Sequence, residues 1–186
     1  HELAKAERLA SCGRPSPWVQ VALLDDEGER VHEGEPGEIC GRGSLVMKGY
    51  HNRPEATAEA FAGGWLHTGD VGRFDEEGFL YIVDRKKDMI ISGGFNVYPN
   101  EIEQVLCEHP AVQESAVIGV PDDKWGEAVK AVIQLKPGQV CSAEELVAAV
   151  KSTLGSVKAP KSVDFIEQLP RSSAGKVLKT EIRKQY

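Results

Sequence analysis

The chain has 186 residues, with 22 Lys+Arg against 29 Asp+Glu and a formal net charge of −7. Hydrophobic residues make up 41% and recur along the whole length, which excludes a disordered chain. The acidic balance argues against nucleic acid as the main partner, and no apolar stretch approaches the roughly 18 residues of a membrane-crossing helix. Cys12, Cys40, Cys107 and Cys141 are scattered, with no CxxC pair and no His at ligand spacing. They predict neither a disulfide framework nor a metal site, and four free thiols suit a cytoplasmic location. Residues 1–11 alternate charge with Ala and Leu and carry no signal-peptide pattern. The first residue is His1 rather than Met, so a piece of a longer protein is expected.

In chain order, residues 18–24 form a β-rich run closed by the turn cluster Asp25-Asp26-Glu27-Gly28. Residues 38–43 read as a short strand ending in glycines, and 54–61 as one short helix. Residues 71–74 and 79–83 flank Asp75-Glu76-Glu77-Gly78, the pattern of a β-hairpin with a four-residue loop. Beyond residue 88 the pattern changes. Pro99 and Glu101 open a helix whose apolar face is Ile102, Val105 and Leu106. Residues 115–120 and 128–135 read as strands separated by a polar loop over 121–127. Ser142-Ala143-Glu144-Glu145 is a capping box ahead of Leu146, Val147, Val150 and Leu154. A strand over 162–167 and a closing helix around Val177, Leu178 and Ile182 complete an α+β pattern.

Three glycine-bearing segments stand out. In Gly63-Gly64-Trp65-Leu66-His67-Thr68-Gly69-Asp70, a carboxylate follows a glycine turn, suited either to a sugar's vicinal hydroxyls or to local amides. In Asp84-Arg85-Lys86-Lys87-Asp88, a charged knot precedes an apolar strand and Gly93-Gly94. It reads as a domain boundary or as a solvated charge run. In Leu169-Pro170-Arg171-Ser172-Ser173-Ala174-Gly175-Lys176, a loop presents one lysine, to a phosphate or carboxylate or simply to solvent.

Together, in this order and spacing, these segments resemble the C-terminal portion of the adenylate-forming (ANL) superfamily of acyl-CoA synthetases, or AMP-dependent CoA ligases. Further carriers are Gly13-Arg14-Pro15, Gly49-Tyr50, Asn96, Pro99 and Glu101-Ile102-Glu103. The segment over 91–99 looks like the CoA-ligase branch rather than the luciferase or peptide-synthetase branches. The resemblance implies an α+β fold in which residues 1–84 are the β-rich, barrel-like end of a large ATP- and acyl-binding domain. Residues 85–88 would be the hinge, and 89–186 a mobile C-terminal domain. It implies two half-reactions: ATP and a carboxylic acid give acyl-adenylate and pyrophosphate, then CoA displaces AMP.

By the same resemblance, Asp70 and Arg85 bind the ribose of ATP or AMP, and Lys87 is the hinge residue. Lys176 is the catalytic lysine of adenylation, where a cation stabilises developing charge. Gly93 and Gly94 line the CoA tunnel as a strand, while Trp125 and Lys161, with Lys158 near by, meet CoA's nucleotide end. The sequence departs from the close aryl-ligase pattern at Val157 and Ala159, and from the family's loop at Lys179. The family's Ser/Thr/Gly-rich phosphate loop and Tyr-Gly-x-Thr-Glu segment do not occur in these residues, so the ligands of Mg2+ and the rest of the N-terminal domain are expected elsewhere. The isolated chain is then expected to form no acyl-adenylate. A free-standing CoA- or nucleotide-binding module without catalysis is the alternative.

Overall fold

The computed structural model describes residues 8–186, as two compact units divided between Lys87 and Asp88. In the first unit, β1 (Val19–Leu24), β2 (Gly37–Gly43), β3 (Leu66–Phe74) and β4 (Leu80–Arg85) form an antiparallel sheet in chain order. Helix α1 (Pro54–Ala60) starts on a proline, whose missing N–H costs nothing at a helix N-terminus. The β3–β4 turn is built by Asp75, whose Oδ1 accepts the Glu77 and Phe79 N–H groups at 3.0 and 2.8 Å. The buried cluster is small: Ala22, Leu24 and Cys40, with Trp65 packed on it and Arg42 4.2 Å from the Trp65 ring centre.

The second unit carries a five-stranded sheet. β5 (Ile90–Ser92) and β6 (Phe95–Val97) make a short hairpin, followed by α2 (Pro99–Cys107), β7 (Val112–Asp122) and β8 (Gly126–Leu135). Helix α3 (Ala143–Leu154), β9 (Ser162–Ile166) and α4 (Lys179–Arg183) complete it. β7 pairs with one edge of β8; the other edge takes β5 at Gly126 and β9, in parallel, over Lys130 to Gln134. Side chains alternate across the sheet. Val117, Val129, Ala131 and Ile133 bury against Ile102 and Leu106 of α2 and Leu146 and Val150 of α3. Ala116, Ile118 and Val132 bury on the other face with Leu169 and Ile182. Covered on both faces, β7 and β8 read as continuous apolar runs. Ser142 caps α3 reciprocally with Glu145, as the capping box predicts.

Three expectations change. The polar loop over 121–127 is largely strand: Pro121 pairs with Glu127 and Asp122 with Gly126. Only residues 123–125 turn, because Asp122 Oδ1 accepts both the Lys124 and Trp125 N–H groups at 2.9 Å. Pro121 is tolerated because β7 is an outer strand. The closing helix starts at Lys179, so Val177 and Leu178 lie ahead of it. Gly93 and Gly94 are not strand but the two-residue turn between β5 and β6, with φ of 59° and 82°. Two consecutive positive φ values are the hairpin geometry that glycine supplies without strain. No helix among the described residues is long and apolar enough to cross a membrane.

Candidate functional site

In the first unit, β2 and β3 pair as Glu38–Val71 and then as Cys40–His67, so Thr68, Gly69 and Asp70 stand opposite Ile39 alone. This bulge frees Asp70 from the β2–β3 pairing, and Gly69 makes it feasible by adopting φ 73°. Thr68 Oγ1 donates to the Ile39 carbonyl at 2.7 Å and accepts the Asp70 N–H at 3.1 Å. Across the next ladder Asp70 faces Arg85, whose Nε lies 2.8 Å from Asp70 Oδ1. The structure thus joins two residues 15 positions apart into one carboxylate–guanidinium pair at a strand end.

Beneath the bulge lies a cluster absent from the sequence reading. Glu38, 7% exposed, accepts the Gly69 N–H on Oε1 at 3.1 Å, while its Oε2 lies 3.0 Å from both His67 Nδ1 and Lys86 Nζ. Burial alone would raise the Glu38 carboxyl, but His67, Lys86 and the Gly69 N–H together hold it below the ordinary value. Burial opposes the Lys86 charge too, yet Asp26 at 2.7 Å and Glu38 carry its pKa above that of a free lysine. Cys40 Sγ sits 3.4 Å from His67 Nδ1, so the tertiary structure supplies the Cys–His proximity that the spacing lacks. The donor atoms of Glu38, Cys40 and His67 lie within 4.8 Å of one another. However, the Lys86 ammonium already occupies the carboxylate, and burial followed by the Glu38 charge pushes the Cys40 thiol up to about 11. Glu38, His67, Lys86 and Cys40 thus form one hydrogen-bonded network.

Lys87, exposed, lies in a 3-10 turn over Lys86–Asp88. Its neighbours are each tied within their own unit: Lys86 to Glu38 and Asp26, and Asp88 Oδ1 to Arg183 Nη2 at 3.0 Å.

Within the second unit, Gly93, Trp125 and Lys161 come together. The Gly93 N–H donates to the Trp125 carbonyl at 2.8 Å, and Lys161 Nζ lies 5.6 Å from the Trp125 ring centre. Ser92, Phe95, Trp125, Ser156, Val157 and Lys161 line a cavity of about 250 Å³. Trp125 is 39% exposed, with one edge against Gly93. Such a half-covered indole beside a cation suits a flat ring carrying phosphate. Lys158 turns elsewhere, to Glu101 at 2.7 Å, and Ala159 is buried in the main core, where an arginine would not fit.

Lys176 is exposed at the end of a closed loop. Ser172 N donates to the Lys176 carbonyl at 2.8 Å, Gly175 N to the Ser172 carbonyl at 2.9 Å, and Leu178 N to the Pro170 carbonyl at 2.8 Å. Arg171 ties the loop to the sheet by bonding the Gly175 carbonyl at 2.7 Å and pairing with Glu114 of β7. Lys179 is engaged by Glu103 at 2.7 Å.

Comparison with known proteins gives this geometry its context. Residues 101–176 match the family model of the AMP-binding enzyme C-terminal domain, and residues 1–51 match that of the AMP-binding enzyme. The chain belongs to the AMP-binding enzyme family. It is 50% identical over 187 residues to the medium/long-chain-fatty-acid–CoA ligase FadD8 of Mycobacterium tuberculosis, covering 97% of this chain and 33% of that one. It is 49% identical to a feruloyl-CoA synthase of an Amycolatopsis species, covering 97% of this chain and 37% of that one. Among solved AMP-binding enzymes, o-succinylbenzoate CoA synthetase from Bacillus subtilis, in complex with its acyl-adenylate, matches with a TM-score of 0.87 and 41% identity over 96% of this chain and 36% of that one. An amide bond synthetase from Marinactinospora thermotolerans matches with a TM-score of 0.88 and 43% identity, over 98% and 38%. This AMP-binding enzyme chain spans about a third of the length of the curated relatives.

Proposed function

We propose that the chain is the C-terminal part of an ATP-dependent acid–thiol ligase that makes acyl-CoA through an acyl-adenylate. A carboxylate oxygen of the acid attacks the α-phosphorus of ATP and pyrophosphate leaves; the CoA thiol sulfur then attacks the acyl carbon and AMP leaves. The observation that carries this reading is the Asp70–Arg85 pair. A carboxylate at the bulged edge, beside a guanidinium, is fitted to accept the two vicinal hydroxyls of a ribose. Lys176, on its tied loop, is the cation proposed to offset charge that develops on the carboxylate and α-phosphate during adenylation. Lys87 is proposed as the hinge between residues 1–84 and the mobile domain 89–186.

The cavity beside Trp125 and Lys161 is proposed to take the nucleotide end of CoA, with Gly93 and Gly94 near its pantetheine arm. Mg2+ is proposed to accompany ATP on ligands outside this chain. Free thiols at Cys12, Cys40, Cys107 and Cys141 support a reducing, cytoplasmic location. Relatives named for fatty acids and for ferulate are about equally similar, so the proposal reaches a carboxylic acid and no finer class. The likeness to an amide bond synthetase leaves the fold compatible with an amine acceptor; the thiol is favoured by the CoA ligases among the relatives.

The test is Lys176→Ala in the full-length ligase, with the half-reactions measured separately. Pyrophosphate release is expected to fall at least about a thousandfold, the scale of losing a charge aimed at a phosphoryl transition state. Thioester formation from supplied acyl-adenylate is expected near the unaltered rate. Equal loss of both would overturn the role given to Lys176. CoA binding without any adenylation by the longer protein would favour the binding module.

A further inference from the structure

We propose that Glu38 is a positioning residue for the nucleotide pair: its buried carboxylate keeps the 68–70 bulge turned outward and holds Asp70 in register with Arg85. The problem it solves is local. Three bulged residues opposite one leave backbone N–H groups without partners on β2, and a partly buried N–H left unpaired is costly. Glu38 Oε1 fills that vacancy at Gly69, the residue before Asp70, at 3.1 Å. Its Oε2 lies 3.0 Å from His67, just ahead of the bulge, and 3.0 Å from Lys86, the residue after Arg85.

One side chain thus holds the backbone N–H before Asp70 and the side chain after Arg85, while it makes no hydrogen bond to the pair itself. His67 is fixed from its other side, with Nε2 3.2 Å from the Ala62 carbonyl, and Lys86 is fixed from its other side by Asp26. These anchors leave the carboxylate one geometry, so the Gly69 N–H has one place to point. Because Glu38 bonds through Gly69 and Lys86 rather than through Asp70 or Arg85, it acts on nucleotide contacts only by placement. The geometric claim stands independently of the ligase reading; its importance for ATP rests on that reading.

The experiment uses the 186-residue chain, labelled with 15N. In Glu38→Gln, the Gly69 amide is expected to exchange about tenfold faster, the scale of one hydrogen bond. The Arg85 Nε–Hε resonance is expected to move toward the position it takes in Asp70→Asn, where its acceptor is weakened. Amides of β1, in the same unit but away from the bulge, report that the first unit stays folded. An Arg85 resonance unmoved while Gly69 responds would overturn the proposal.

Should Glu38→Gln unfold the first unit, Lys86→Met decides. Its side chain is 37% exposed, so its loss should perturb the core less, the Gly69 bond should persist, and the Arg85 resonance should still move. No movement overturns the proposal. None of these readouts involves a nucleotide, so failure of the full-length protein to bind ATP would remove the functional reading and leave the role of Glu38 in the bulge standing.

Discussion

A Cβ added to Gly93 would stand 2.7 Å from Cε3 of Trp125, closer than side-chain atoms approach in folded proteins. The two residues are locked twice, by this edge contact and by the Gly93 N–H on the Trp125 carbonyl. The double glycine therefore contains two different demands. At Gly94 only the positive φ matters, since nothing lies within 4 Å of a Cβ there.

Gly94→Ala is accordingly expected to lose about 1 kcal/mol, the cost of a left-handed alanine, and Gly93→Ala about 2 to 3 kcal/mol, because the indole must also shift. Native-state hydrogen exchange of β7 and β8 measures both. Equal losses would mean that Trp125 yields without resistance.

The Glu38 carboxyl is held below its ordinary value of about 4.5. Its contribution to stability is therefore fully present above that pH and is lost as pH falls through the lower, folded value. Glu38→Gln should destabilise the first unit by about 2 kcal/mol at pH 7, since Lys86 and His67 lose their shared acceptor. The gap between the two proteins should close on acidification below about 4.5. Urea unfolding from pH 7 to pH 3, followed by the His67 resonances, tests this; a gap independent of pH would show that the charge contributes nothing.

Ser142 and Glu145 satisfy one another's backbone N–H groups at 3.1 and 2.8 Å. Ser142→Ala should cost about 1 kcal/mol. The loss should appear as faster exchange of α3 amides, with β1 to β4 unchanged because they belong to the other unit.

If the cavity beside Trp125 takes the nucleotide end of CoA, Trp125→Ala should weaken CoA binding about ten- to a hundredfold, the scale of one lost stacking partner. Lys161→Met should cost less, and its effect should shrink with added salt because the lysine is exposed. Calorimetric titration of CoA into each variant separates the two. A Trp125→Ala protein that binds CoA as the parent does would remove the assignment.

Features set by neighbours a few residues apart were legible in the sequence. Pro99 opening α2, the Ser142–Glu145 box, the Asp75 hairpin and the apolar strands β7 and β8 all follow from short-range chemistry or simple periodicity. Membership of the AMP-binding enzyme family was legible as well, through the order and spacing of the segments around Asp70, Arg85 and Lys176. Pairing across the chain was not. The structure alone decides that Asp70 faces Arg85, that Glu38 reaches Gly69, His67 and Lys86, and that Gly93 turns under Trp125. The physical reason is register. Composition says that a segment will be a strand, but a bulge that shifts its pairing is chosen by the whole sheet. Only that choice decides which buried carboxylate meets which N–H.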